Sequence, residues 1–338
     1  MINELYVHIG IHKTGSTALQ IFLLNNSKFL KNFSCFYPRN GISFGPGHAN
    51  IAFQILKNEK YYNNNATSLD DIVSELKASD MEKAILSSEI FCQFNGENVV
   101  EFKEALDFVE NIKIICFVRR QDELFYSWWQ ESVKHGSIKD FNEAYILFEK
   151  IFDYNKIIKP WADVFGNKNI SIIFFPEQRD SNWSVAHEFF KVFDLPSEVT
   201  IPNGNVITII NKSLDIVKAI WSVAHGFFKI FYLFSKVTIP KGNEETKINK
   251  SLDIVTAMLL KNMNRYIANR EDYVDLRNNF ISTINEYYLI NKIKPDQFKL
   301  SDKILTKIEK NFNKKNKIFN KNKFHFEGNK NSILYKNK

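Results

Sequence analysis

Cysteine is scarce, with three in 338 residues. Cys35, Cys92 and Cys116 lie far apart, and no two have CxxC or metal-ligand spacing. An odd count without such spacing argues against a disulfide framework and points to a reducing compartment. Residues 1–20 carry no positive segment followed by an apolar core, so no signal peptide is expected. No run of about 18 uncharged apolar residues occurs, so no spanning helix is expected. Cytoplasm is the expected location. No Asp/Glu cluster suggests a metal. Also missing is the Walker pattern, in which lysine follows the second glycine and directly precedes Ser or Thr.

What is present suits a globular chain. Apolar residues make up 44% and charged residues 25%, which supports a real core. The length fits one large domain or a domain with an appendage. The net charge is +7, but it is unevenly spread. Residues 311–338 hold eight lysines against one acid, Glu327, which accounts for the whole excess. The body is therefore near neutral, and a general nucleic-acid surface is not implied. The expected division is a domain over residues 1–310 and a basic, poorly ordered tail over 311–338. The tail's functional reading is contact with an acidic glycan, an anionic cofactor or a membrane surface.

Four apolar runs read as buried parallel strands: Leu5–Ile11, Ala84–Ser88, Ile112–Val118 and Ile170–Phe175. Helical patterns fall at Ser16–Phe29, Glu97–Glu110, Asp122–Lys134, Phe141–Val164 and Ser184–Phe193, with a last amphipathic helix from Lys303. Alternation of this kind predicts an α/β fold, a parallel sheet with helices on both faces. Ligands in such sheets bind beyond the carboxyl ends of the strands. The first three strands end in His12-Lys13-Thr14, Ser87-Ser88-Glu89 and Arg119-Arg120. Convergence of those ends predicts the site.

The C-terminal half contains a tandem duplication. Residues 183–219 and 221–257 align at an offset of 38, with 27 of 37 positions identical. Two copies are too few for a solenoid, so the repeat reads as an insertion into a pre-existing fold. Copy one keeps Asp194-Leu195-Pro196 where copy two has Tyr232-Leu233-Phe234, and Pro196 stops a helix. The first half of copy one and the second half of copy two are expected in the core, with about 207–247 looped out or packed as an added unit. His187 and His225, at equivalent places, read as structural.

The stretch "HIGIHKTGSTALQ" is a strand, a glycine-bearing turn with a lysine, then a helix. Backbone N–H groups of Thr14 to Thr17 at the helix start would face an anion, with Ser16 and Thr17 hydroxyls and the Lys13 charge beside them. In "IICFVRRQDELFYSWWQ", Arg119 ends a strand and Ser127 follows eight residues on. An arginine fork and a serine two turns into the next helix can grip one phosphate together.

Taken together the two stretches resemble the sulfotransferases that use 3′-phosphoadenosine 5′-phosphosulfate (PAPS), most closely bacterial members acting on polysaccharides and other glycoconjugates. The resemblance covers about residues 4–135. It implies a three-layer α/β/α, P-loop-like sulfotransferase fold with a central parallel sheet. It implies PAPS as sulfuryl donor, a hydroxyl or amine of a carbohydrate or glycoconjugate as acceptor, and no metal. Residues His12, Lys13, Thr14, Gly15, Ser16 and Thr17 resemble the 5′-phosphosulfate loop, and Lys13 the lysine that neutralises the departing oxygen. Arg119 and Ser127 resemble the 3′-phosphate ligands. The family's C-terminal glycine-rich phosphate loop has no evident counterpart. Trp128 or Trp129 could stack on adenine or belong to the core.

A sugar hydroxyl needs a general base, and the resemblance implies a histidine or a glutamate. Glu89 ends the second strand beside the expected site and is narrowly preferred. His48, in the glycine-rich "GISFGPGHANIA", is the second candidate and His12 a third. Two other readings stand beside the transferase: a P-loop kinase or NTPase, and an inactive nucleotide- or glycan-binding remnant disabled by the duplication. The acceptor loops are expected in Phe36–Asn65 and the C-terminal half.

Overall fold

A computed structural model describes residues 2–43, 45–175, 184–193, 254–267, 271, 273–290 and 302–327. All belong to one compact unit, Met1–Pro202 with Ser251–Lys338. The expectations for residues 207–247, and for His225 and Pro196, lie outside the described residues.

The chain runs β1 (Glu4–His8), α1 (Ser16–Asn25), α2 (Ser27–Lys31), β2 (Cys35–Phe36), α3 (Ala49–Ile55), α4 (Leu69–Ala78) and β3 (Lys83–Ser87). A 3₁₀ turn (Glu89–Gln93) leads to α5 (Gly96–Ala105), β4 (Asn111–Val118), α6 (Gln121–Lys134), α7 (Phe141–Ile151), α8 (Tyr154–Phe165) and β5 (Ile170–Phe174). Then come α9 (Val185–Phe190), α10 (Ile254–Ile267), α11 (Tyr273–Ile290), α12 (Asp302–Phe319) and β6 (His325–Glu327). The sheet order is β2-β3-β1-β4-β5-β6, and every pairing is parallel.

Side chains alternate across the sheet, so its apolar runs feed two cores. Leu5, Val7, Leu86, Ile114 and Cys116 face one core, packed with residues of α3 to α8, α10 and α12. Tyr6, Ile85, Ile115, Phe117 and Ile173 face the other, packed with α1, α2 and α9. Helices on both faces make the architecture a three-layer α/β/α sandwich.

Two differences from the sequence reading have plain causes. The single helix expected over Phe141–Val164 is two, because Asp153 caps α8 by accepting from the Asn155 N–H. The last helix runs beyond residue 311 to Phe319, and β6 adds to the sheet edge, so residues 311–327 are part of the fold. Ile304, Ile308, Phe312 and Phe319 form a buried stripe at helical spacing, which offsets the cost of ordering so lysine-rich a segment. Trp129 is fully buried, stacked on Phe141, and Trp128 packs against Phe148 and Phe152. Trp129 therefore belongs to the core, and Trp128 is part-buried against it.

Of the duplicated segment, two described pieces are buried. Copy one supplies α9, whose Val185, Phe189 and Phe190 enter the second core. Copy two runs into α10, where Thr256, Ala257 and Leu260 are buried. Asn264 seats α10 on the end of α6 by donating to the carbonyls of Val133 and Ser137 at 2.6 and 3.0 Å.

Candidate functional site at the carboxyl edge of the sheet

Parallel pairing of β3, β1 and β4 brings their carboxyl ends side by side, so the three polar strand ends share one edge. The turn after β1 is tight. Lys13 (φ 64°) and Gly15 (φ 86°) both adopt left-handed backbone. Gly15 has a second reason to lack a side chain, since a Cβ there would meet Val185 Cγ2 of α9 at 2.5 Å. Gly10 lets the turn ride on the next strand end, because its Cβ would lie 2.9 Å from Glu89 Cα.

The hydroxyls divide into inward and outward. Thr14 is buried and donates to the Ile11 carbonyl at 2.6 Å. Ser16, also buried, lies 3.5 Å from the same carbonyl. These two close the turn, so their side chains do not add the donors to an anion that the sequence suggested for Ser16. Thr17 is exposed. Gly15 N-caps α1 and offers no side-chain oxygen, whereas Ser68, Asn95, Asp140, Asp153 and Ser184 cap α4, α5, α7, α8 and α9. Among the described residues, the first N–H groups of α1 have no partner, which leaves the positive end of the helix open to an anion.

Lys13 reaches α6. Its Nζ is 3.1 Å from Glu131 Oε2. Glu131 also meets His135 at 3.2 Å and Lys134 at 3.7 Å. The hydrogen bond from His135, reinforced by the charges of Lys13 and Lys134, holds the Glu131 carboxyl well below the usual carboxylate range despite partial burial. Arg119, at the end of β4, donates from Nη1 to Ser127 Oγ at 3.1 Å and from Nε to Glu123 Oε2 at 2.7 Å. Glu123, Ser127 and Glu131 recur every four residues, so one face of α6 runs beneath both cations over roughly 12 Å. Arg120 is spent elsewhere, in a two-point bond to Asp122 at 2.7 and 2.9 Å.

The candidate bases separate cleanly. His48 is fully buried. The Ser87 N–H donates to its Nδ1 at 3.1 Å, so Nε2 carries the proton and donates to the Pro38 carbonyl at 3.1 Å. Burial pushes its imidazole down to about 4. Both nitrogens are occupied, and His48 is a structural pin between the Pro38 loop and β3. His12 adjoins Glu89 and Lys13; burial, with Lys13 beside it, pushes its imidazole below the ordinary value, and Glu89 pulls the other way. Glu89 is half-buried, and its Oε2 accepts from Gln20 Nε2 at 3.1 Å. Gln20 Nε2 is also 3.2 Å from Ser87 Oγ, which lies 2.8 Å from Nδ1 of the fully buried His8. A polar chain thus runs from His8 through Ser87 and Gln20 to Glu89.

Sequence reasoning missed Gln20, Glu123 and Glu131. The spacing of four through Glu123, Ser127 and Glu131 was a usable signal. Gln20 carried none, since its partners lie 67 and 69 positions away. Among the described residues no group of three or more His, Cys, Asp or Glu could hold a metal ion, and no helix is long and apolar enough to cross a membrane.

No family model matches the chain. An uncharacterized protein of Archaeoglobus fulgidus is 28% identical over 115 residues, 33% of this chain and 31% of that protein. The match thus spans about a third of the curated relative's length. A crystal structure of a sulfotransferase from Alicyclobacillus acidocaldarius aligns over 70% of this chain and 97% of its own, at 13% identity and a TM-score of 0.42.

Proposed function

We propose that the chain transfers a sulfuryl group from PAPS to a hydroxyl or amine of a carbohydrate or glycoconjugate. The observation that carries this reading is the Arg119–Ser127 pair, 3.1 Å apart at the end of the strand beside β1, with Lys13 on the same face of α6. The residues present suit such a donor. The open start of α1 and Lys13 would hold its 5′ end, and Arg119 with Ser127 its 3′-phosphate. When bound, the donor supplies an activated sulfuryl group whose departure leaves negative charge on the bridging phosphate oxygen.

The chain's own groups then divide the work of positioning and charge stabilisation. Lys13 is the cation for the departing oxygen. Glu89 is the base for the acceptor proton, held in orientation by Gln20. Glu131 and Glu123 hold Lys13 and Arg119 in place before ligand enters. A kinase reading lacks its parts. The lysine precedes Gly15, and the carboxylate after β4, Asp122, is spent on Arg120.

The experiment is a calorimetric titration with adenosine 3′,5′-bisphosphate, adenosine 5′-monophosphate and ATP with Mg²⁺. The bisphosphate should bind tightest, since it alone carries the 3′-phosphate. Tighter binding of ATP with Mg²⁺ would overturn the reading, and sulfate transfer to a glycan would then not be sought.

A further inference from the structure

The solvent face of α12 carries a row of lysines that the proposed transfer does not use. Lys303, Lys307, Lys310, Lys314 and Lys317 lie on the helix, and Lys321 just past its end; all six are exposed. Their spacing alternates four, three, four, three, four. At 100° per residue this confines them to an arc of roughly 80°, opposite the buried stripe of Ile304, Ile308, Phe312 and Phe319, and spreads them over about 27 Å. No acidic residue falls within the arc, and none of the six has an ion-pair partner among the described residues. Lys307 lies over the Tyr145 ring at 4.6 Å. Lys310, Lys314 and Lys317 border an open patch of the helix surface with Thr306, Glu309 and Asn313.

From this row we infer that the acceptor is a linear polyanionic glycan, bound along α12 with about one lysine per sugar unit. The mean rise between lysines, about 5 Å, is close to the length of one hexopyranose. A row one lysine wide matches a chain better than a plane. The apolar face of α12 is already in the core, so the helix cannot enter a bilayer as an amphipathic anchor does. The arc carries no aromatic ring to stack on bases, as single-stranded nucleic acid would call for. The helix that bears the row packs on α6: on its buried face Asn316 exchanges two hydrogen bonds with Gln121, at 2.9 and 2.7 Å, in the first turn of α6. As an acceptor assignment this rests on the transferase reading; as a binding site it does not.

The test needs no turnover. Polygalacturonate and heparin are titrated into the full chain at about 50 mM and about 200 mM salt, beside phosphatidylserine vesicles and a DNA duplex. Both glycans should bind, with affinity falling steeply as salt rises, because a polyanion releases counterions on binding. The triple change Lys310→Ser, Lys314→Ser, Lys317→Ser should weaken glycan binding about tenfold or more and flatten the salt slope. Binding of adenosine 3′,5′-bisphosphate should not change, and the Lys→Arg triple should retain the glycan. Equal loss from Lys28→Ser, Lys31→Ser, Lys168→Ser would reduce the effect to net charge and overturn the proposal. So would equal or tighter binding of vesicles or DNA. Glycan binding without bisphosphate binding would leave the row standing and remove the transferase reading.

Discussion

Lys13 Nζ and Glu131 Oε2 stand 3.1 Å apart, joining the turn after β1 to a helix 118 positions later. The pair sets the geometry of the cation before any ligand arrives. It also makes Glu131 a competitor for that cation. Because Glu131 stays ionised, the competition holds across the neutral range. Glu131→Gln should therefore tighten adenosine 3′,5′-bisphosphate binding roughly two- to fivefold, the worth of a part-exposed ion pair. Lys13→Ala should slow sulfuryl transfer about a hundred- to a thousandfold, the scale of losing one preorganised oxyanion donor. Calorimetry and single-turnover rates read the two effects separately. Near-normal transfer by Lys13→Ala would remove Lys13 from its role.

Arg119 and Ser127 should govern recognition of the 3′-phosphate. Losing a charged hydrogen bond costs about 1.5–3 kcal/mol. Arg119→Ala should then weaken the bisphosphate by roughly ten- to a hundredfold and leave adenosine 5′-monophosphate nearly unchanged. Ser127→Ala should follow the same pattern at smaller size. Equal loss for both nucleotides would point to a folding defect at the end of β4 and not to a phosphate contact.

Gln20 donates to Glu89 at 3.1 Å and is itself buried. Gln20→Leu removes the donor that orients this carboxylate, so sulfuryl transfer should slow by roughly tenfold, the worth of one hydrogen bond to a charged group, while bisphosphate binding stays as it was. Glu89→Gln should abolish most of the rate and still bind the bisphosphate. A Gln20→Leu rate equal to that of the unaltered chain would mean that Gln20 only packs.

His8 and His48 are buried as neutral imidazoles. Burial pushes His8 down to about 3 and His48 down to about 4. In the unfolded chain both titrate near about 6.5. Their stabilising contribution is thus complete above that value and lost as pH falls through the interval, because the unfolded chain binds protons that the folded chain refuses. Each residue adds a slope of up to about 1.4 kcal/mol per pH unit in that window. His8→Leu, which also removes the unpartnered Nε2, should flatten the slope by about that amount. Urea unfolding at a series of pH values from neutral to acid measures it, and an unchanged slope would contradict the assignment.

Deleting residues 207–244 removes one repeat length and rejoins the two copies in frame. The described core takes α9 from copy one and α10 from the end of copy two, and both survive the deletion. The shortened chain should fold with a similar Tm and bind the bisphosphate as the full chain does. Transfer by the shortened chain alone would show that the duplication disables the enzyme.

Much of this was legible in the residues themselves. β1, β3, β4 and β5 read as continuous apolar runs because strands covered on both faces must be apolar throughout. β2 and β6 did not, being two and three residues long at the sheet edges. The last helix was visible, but its extent was hidden by lysines. Phe312 and Phe319 outweigh them only when a core is present to receive those rings.

The sequence by itself determined which strand ends are polar, where the glycines bend the first turn, and that Arg119 and Ser127 share a helix-and-strand spacing. These are local properties, set by periodicity and backbone freedom. The tertiary structure decided which polar groups are already spent. His48 is pinned by Ser87, 39 positions away; Lys13 is paired with Glu131, and Glu89 is steadied by Gln20. Hydrogen-bond capacity is filled by whatever the fold brings near, and that proximity is not written in any local stretch of chain.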